Sequence, residues 1–166
     1  SLISLQRNDV SDICTREELA KVQRRIGAIA MIHQKLYQDE RVDRMNFKSY
    51  LDELISSMEL INDKVSANLV FQGSVELKLD TALPLGLIVS ELISNSYKYA
   101  FENTENPKIV IHLECKKEYY HLVIQDNGCG LPDDFSLIAS ASLGMQIIAA
   151  LIDQIGAKIS HKNDFG

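Results

Sequence analysis

Leu83-Pro84-Leu85-Gly86-Leu87-Ile88-Val89-Ser90-Glu91-Leu92-Ile93-Ser94-Asn95-Ser96-Tyr97-Lys98-Tyr99-Ala100-Phe101 is the most informative segment of this 166-residue chain. Proline suits a first helical turn, where its missing N–H is no loss. The pattern therefore predicts a helix opening at Pro84 and running to about Phe101. At about 100° per residue, Glu91, Asn95 and Lys98 fall within roughly 60° of one another. Leu85, Val89, Leu92, Ile93, Ser96 and Ala100 make the opposite, core-facing side. Leu87, Ile88 and Phe101 flank the polar stripe, so it is not an open solvated face. A carboxylate can accept a proton or orient water, a carboxamide oxygen is a hard ligand for Mg²⁺, and an ammonium answers phosphate charge. The stripe suits the triphosphate end of a nucleotide. The same residues also describe a plain amphipathic helix with Glu and Lys outside.

Downstream, Ile109-Val110-Ile111-His112-Leu113-Glu114-Cys115 and His121-Leu122-Val123-Ile124-Gln125-Asp126 read as two strands joined through Lys116-Lys117-Glu118. Strand alternation puts Leu122, Ile124 and Asp126 on one side, so Asp126 ends an apolar, inward row and needs a hydrogen-bond donor there. An adenine amino group would supply one, and Gly128 and Gly130 would let ligand and backbone approach closely. An Asp-Asn-Gly turn capped by Asp126 explains the same residues. A helix from Leu143 to about Ile155 begins at Ser142-Leu143-Gly144-Met145, offering free N–H groups to phosphate. Between Gly130 and Ser142, a segment with Pro132 and two acids, Asp133 and Asp134, has the length of a lid.

The first 62 residues read as helix. Leu19, Val22, Ile26, Ile29, His33 and Leu36 form an apolar seam with spacing 3, 4, 3, 4, 3. Thr15 with Glu17 and Glu18 suits its start, and Ser1 to about Val10 reads as the tail of a preceding helix. One hairpin cannot cover both sides of its stripe, so a second copy completing a four-helix bundle is expected. His33 sits in the seam, as a core histidine does; a phosphoacceptor is the rival reading. After the polar break Gln38 to Arg44, Asn46 caps a third helix with Phe47, Leu51, Leu54, Ile55 and Met58 on one face. Short strands are expected at Leu69–Phe71 and Val75–Leu79, and a last one at Ala157–His161. The pattern predicts a helical region, 1–62, and an α+β domain, 63–166, with helices on one face of a mixed, mainly antiparallel sheet.

Net charge is −6, with −1 in residues 1–62 and −5 in the rest. Without a run of five Lys or Arg, a nucleic-acid footprint is not indicated. No apolar run reaches the 18 or more residues of a membrane span. Cys14, Cys115 and Cys129 show no CxxC spacing and read as free thiols in a reducing, cytoplasmic compartment. The chain opens at Ser1 without Met and stops at Asn163-Asp164-Phe165-Gly166, a turn leading toward another strand. This reads as a piece of a longer protein whose last strand is missing.

Glu91-xxx-Asn95-xx-Lys98, then Asp126-x-Gly128-x-Gly130, then Leu143-Gly144-Met145, in that order and spacing, resembles the N, G1 and G2 boxes of the GHKL ATPases. The resemblance implies the Bergerat fold, an α/β sandwich binding ATP and Mg²⁺. By position it implies Asn95 on Mg²⁺, Lys98 on phosphate, Glu91 as the catalytic or water-orienting carboxylate and Asp126 on the adenine amino group. Gly128, Gly130 and Gly144 would shape pocket and lid hinges. Tyr99 stands where histidine often follows the lysine, and Ser142 replaces the first glycine of the third box. Ser1-Leu2-Ile3-Ser4-Leu5-Gln6 and Arg25 to Tyr37 resemble the dimerisation hairpin of HWE-like sensor histidine kinases. That group implies a homodimer, a phosphoacceptor histidine upstream of Ser1, and a response-regulator aspartate as final acceptor. A fragment without the acceptor histidine is therefore expected to bind nucleotide and not to autophosphorylate. The rivals are a GHKL protein-serine kinase or ATPase, and a non-catalytic dimerisation scaffold.

Overall fold

A computed structural model describes Gly27 and residues 44–59, 68–72, 75–132, 135 and 142–163. The chain divides into two compact units, Ser1–Val42 and Asp43–Gly166. Gly27 is helical and exposed. The remaining residues of the expected hairpin before residue 44, His33 among them, lie outside the described residues, as do residues 133–134 and 136–141 of the expected lid.

The second unit opens with β1 (Arg44–Asn46), which the sequence pattern groups with a polar break because three residues are too few to show alternation. It pairs antiparallel with β3 (Glu76–Lys78), placing Met45 opposite Leu77, both buried. Asn46 then caps α1 (Phe47–Glu59) as expected, its Oδ1 accepting the Ser49 N–H at 3.0 Å. Phe47, Leu51, Leu54 and Ile55 are buried, as their spacing predicts; the Met58 side chain lies outside the described residues.

Tyr50, absent from the expected core face, is fully buried with its ring 5.7 Å from that of Phe47. It lies against Gly86 of α2 (Leu79–Asn95) so closely that a Cβ at Gly86 would overlap the ring. Burial raises the Tyr50 phenol pKa above its ordinary value. This contact ties α1 to α2, both within the second compact unit.

Helix α2 starts at Leu79, not at Pro84, which lies inside it. Lys78 at its N-cap is extended and makes no side-chain capping bond, so no capping residue marks the start, although Asp80 lies in the first turn. Pro84 removes the N–H that would bond the Asp80 carbonyl; Asp80 is exposed, and water can serve it. The α-helix ends at Asn95 and continues as one π-helical turn, Ser96–Ala100.

The main sheet has the order β2-β4-β5. Strand β2 (Asn68–Gln72) runs parallel to β4 (Lys108–Lys116), and β4 runs antiparallel to β5 (Tyr119–Asp126). Ile109, Ile111 and Leu113 are buried, each contributing about 1.5–3 kcal/mol. Their partners across the ladder are Asp126, Ile124 and Leu122. Antiparallel partners share a face, so Asp126 stands on the buried side, as alternation predicts. The fold is α+β, with the helices on that face.

Helix α3 (Leu143–Gln154) packs against α2 and buries Ile148. The strand expected at 157–161 is not formed: a strand needs a bonded neighbour, and this segment instead meets the chain near residues 131 and 135. The His161 and Phe135 rings contact edge to face at 5.3 Å.

Candidate functional site

Two stretches remote in sequence converge on the C-terminal half of α2. Glu91 is buried at 6% exposure. Its Oε2 lies 3.0 Å from where a Cβ of Gly144 would stand, so glycine permits the start of α3 to sit against this carboxylate. Ser142 is the N-cap of α3, its hydroxyl accepting the Met145 N–H at 3.3 Å. The serine that replaces a glycine thus acts as a helix cap. Leu143 is exposed, while Gly144 and Met145 are half-buried.

The second convergence joins the end of α2 to the end of β5. Asp126 is half-buried and accepts two hydrogen bonds. Its Oδ2 takes the Ser96 hydroxyl at 2.7 Å, and its Oδ1 takes the Gly128 N–H at 3.0 Å. The turn-capping reading of Asp126 is therefore correct for one oxygen. An ionised carboxylate has about four acceptor sites, so capacity remains for an external donor. Gly128 stacks on the π turn: a Cβ there would overlap Ala100, whose carbonyl also accepts the Cys129 N–H at 3.0 Å. Asn127 fastens the loop base, accepting the Lys108 N–H at 2.7 Å and donating to the Asn106 carbonyl at 3.2 Å. Gly130 follows in the left-handed region at φ 76°.

Asn95 lies between these two convergences, half-buried at the last α-helical residue. Lys98 and Tyr99 follow within the π-helical turn. A π turn closes i to i+5, which breaks the 100° step that aligned Lys98 with Glu91 and Asn95. Both residues are exposed, with the Lys98 ammonium 5.4 Å from the Tyr99 ring centroid. The polar groups thus run from buried Glu91 through half-buried Asn95 to exposed Lys98.

Residues 80–166 match the family described as "Histidine kinase-, DNA gyrase B-, and HSP90-like ATPase", and residues 1–62 match the family described as "Histidine kinase". The chain belongs to the histidine kinase-, DNA gyrase B- and HSP90-like ATPases. Among its relatives is the sensor histidine kinase PdtaS of Mycobacterium tuberculosis, 33% identical over 162 residues, covering 92% of this chain and 31% of the relative. PdtaS of Mycolicibacterium smegmatis is 30% identical over 155 residues, with the same coverage of 92% and 31%. The chain thus spans about a third of the length of these relatives (31%). The histidine kinase domain of the Erythrobacter litoralis EL346 blue-light activated histidine kinase shares the fold, with TM-score 0.74 and 22% identity over 84% of this chain and 67% of that one.

Within this ATPase-family domain, sequence reasoning misses the partner of one residue that matters. Ser96 is assigned to the core face and is buried there, with its hydroxyl bonded to Asp126. The available signal was its position next to Asn95, where a hydroxyl on the buried side requires a partner. Among the described residues, no three His, Cys, Asp or Glu side chains form a metal-binding group, and no helix is long and apolar enough to cross a membrane.

Proposed function

We propose that this chain is the dimerisation and ATP-binding catalytic portion of a two-component sensor histidine kinase acting in the cytoplasm. Residues 1–62 form the dimerisation region, and residues 63–166 the catalytic domain. ATP binds between the end of α2 and the loop after β5. The adenine amino group donates to Asp126, and the phosphates lie toward Asn95, Lys98 and the start of α3. Gly128, Gly130, Ser142, Leu143, Gly144 and Met145 shape the enclosing wall, with Tyr99 at its rim.

The observation that carries this reading is the spare acceptor capacity of Asp126, held by Ser96 beside Asn95. The order of polar groups from the buried end of α2 to solvent supports a triphosphate directed outward. Mg²⁺ fits the donor set: Asn95 offers a neutral oxygen, and Mg²⁺ in such sites takes one or two protein oxygens and completes its shell with phosphate and water. Bound there, it would neutralise phosphate charge. Glu91 accepts a proton or orients the incoming group. The imidazole of a histidine attacks the γ-phosphorus, the bond to the β–γ bridging oxygen breaks, and ADP leaves. The phosphoryl group then passes to an aspartate of a response regulator. Such transfer depends on positioning and charge stabilisation, and the relatives named as sensor histidine kinases support it.

Calorimetry of the 166-residue chain with Mg²⁺ and a non-hydrolysable ATP analogue tests the reading. Saturable binding is expected, weakened at least about tenfold in Asn95→Ala. Absence of binding, or an unaltered affinity in Asn95→Ala, overturns the assignment. Radiolabel from ATP that accumulates on the chain and disappears in His33→Ala would make His33 the acceptor instead.

A further inference from the structure

Asn163 is remote in sequence from the glycine loop, yet it grips the loop exit. Its Oδ1 accepts the Leu131 N–H at 3.0 Å, and its Nδ2 donates to the Leu131 carbonyl at 2.7 Å. One carboxamide thus satisfies both backbone groups of one residue, as a neighbouring strand would. The grip comes directly after Gly130, at φ 76°, where a Cβ would stand 3.2 Å from the same Oδ1. The other end of the loop is tied differently. Gly128 N–H goes to Asp126, and Cys129 N–H goes to Ala100 on the π turn. The loop is therefore held from two sides: by the site itself at its base, and by the segment after α3 at its exit. The edge-to-face contact of His161 with Phe135 joins the same two segments a second time.

We propose that Asn163 is a positioning residue for nucleotide binding, holding Gly130 and Leu131 in the arrangement that receives ATP. The inference rests on the nucleotide reading above. A loop already held in its bound form loses less freedom on binding, and that difference appears in affinity. In Asn163→Asp, an acceptor oxygen replaces the donor facing the Leu131 carbonyl, so one bond is lost and two acceptors oppose each other. Asn163→Ala removes the grip without the added charge.

The test compares the unaltered chain, both variants and Asp126→Asn by calorimetry with Mg²⁺ and the ATP analogue. It also measures ligand-free thermal unfolding and amide exchange at Leu131. Both Asn163 variants should weaken binding about tenfold, speed exchange at Leu131, and leave the ligand-free midpoint within about 2 °C of the parent. Unchanged affinity alongside faster exchange makes Asn163 a local tie only and overturns the inference. So does an affinity loss matched by a general loss of stability. Binding lost in Asp126→Asn but kept in both Asn163 variants overturns this inference alone. No binding by the unaltered chain overturns the nucleotide reading and this inference with it.

Discussion

The two faces of the β4–β5 hairpin carry carboxylates in opposite circumstances. On the helix-covered face, Asp126 is held by neutral donors, a serine hydroxyl and a backbone N–H. On the other face, Glu114 is surrounded by cationic or titratable groups. Its Oε1 lies 2.6 Å from the Lys116 ammonium and 3.2 Å from His121 Nδ1, and its Oε2 lies 3.9 Å from His112 Nε2. The hydrogen bond from Lys116 is the main influence lowering the Glu114 pKa, with His121 adding to it and desolvation opposing. Neutral donors orient a carboxylate without cancelling its charge, so Asp126 can still attract a ligand's N–H. Glu114 has its charge met by its own neighbours, in water, where such pairs contribute little. Position on the sheet, rather than residue type, separates the carboxylate proposed to bind nucleotide from a surface ion pair.

Asp126→Asn should break this comparison most severely. The amide keeps the volume but replaces an acceptor oxygen with an NH₂ and removes the charge. ATP-analogue affinity should fall roughly 10- to 100-fold, since hydrogen bonds to charged groups are worth about 1.5–3 kcal/mol. Titration calorimetry reads this directly, and an unchanged affinity would return Asp126 to the role of a turn cap.

Ser96→Ala should act less strongly. It leaves Asp126 charged but frees Oδ2 from its 2.7 Å partner, so affinity should drop about three- to tenfold, the equivalent of one ordinary hydrogen bond. A double-mutant cycle with Asp126→Asn sharpens the point. If Ser96 acts through Asp126, the two losses combine to less than their sum.

Glu114→Gln should have the smallest effect and leave nucleotide affinity at the parent value. The sign of its pH effect follows from its lowered pKa. The contribution is present above the unfolded-state carboxyl pKa and is lost as pH falls through the lower folded-state value. Lys116 shifts upward, chiefly through its hydrogen bond to Glu114. Its share is present below the unfolded-state lysine pKa and is lost as pH rises through the folded-state value. Both contributions should weaken with added salt, and acid and alkaline unfolding followed by circular dichroism at two salt concentrations check this.

Several parts of the fold could be read locally because their causes are local. The Asn46 cap needs only the next few residues, and the alternation at 109–113 and 122–126 reports which side is buried. Glycines at 128 and 130 mark a loop, although the reasons they are needed differ. Gly128 avoids Ala100, while Gly130 adopts a positive φ beside Asn163. The start of α2 was not readable, because Lys78 provides no capping side chain and Pro84 imitates a beginning. The break at Asn95 was equally hidden. Helical arithmetic assumes a constant 100° step, and the π turn that carries Lys98 abandons it.

The amino-acid pattern alone determined α1 with its capped start, the β4–β5 pair, the inward row ending at Asp126 and the order of the three polar boxes. All depend on neighbours within a few positions, where rotation per residue and capping chemistry govern. Only the tertiary structure decided that Ser96 turns to Asp126, that Gly144 admits Glu91, that Tyr50 rests on Gly86 and that Asn163 grips Leu131. Those are close approaches between segments far apart in the chain. They follow from how packed elements meet, which no local periodicity encodes.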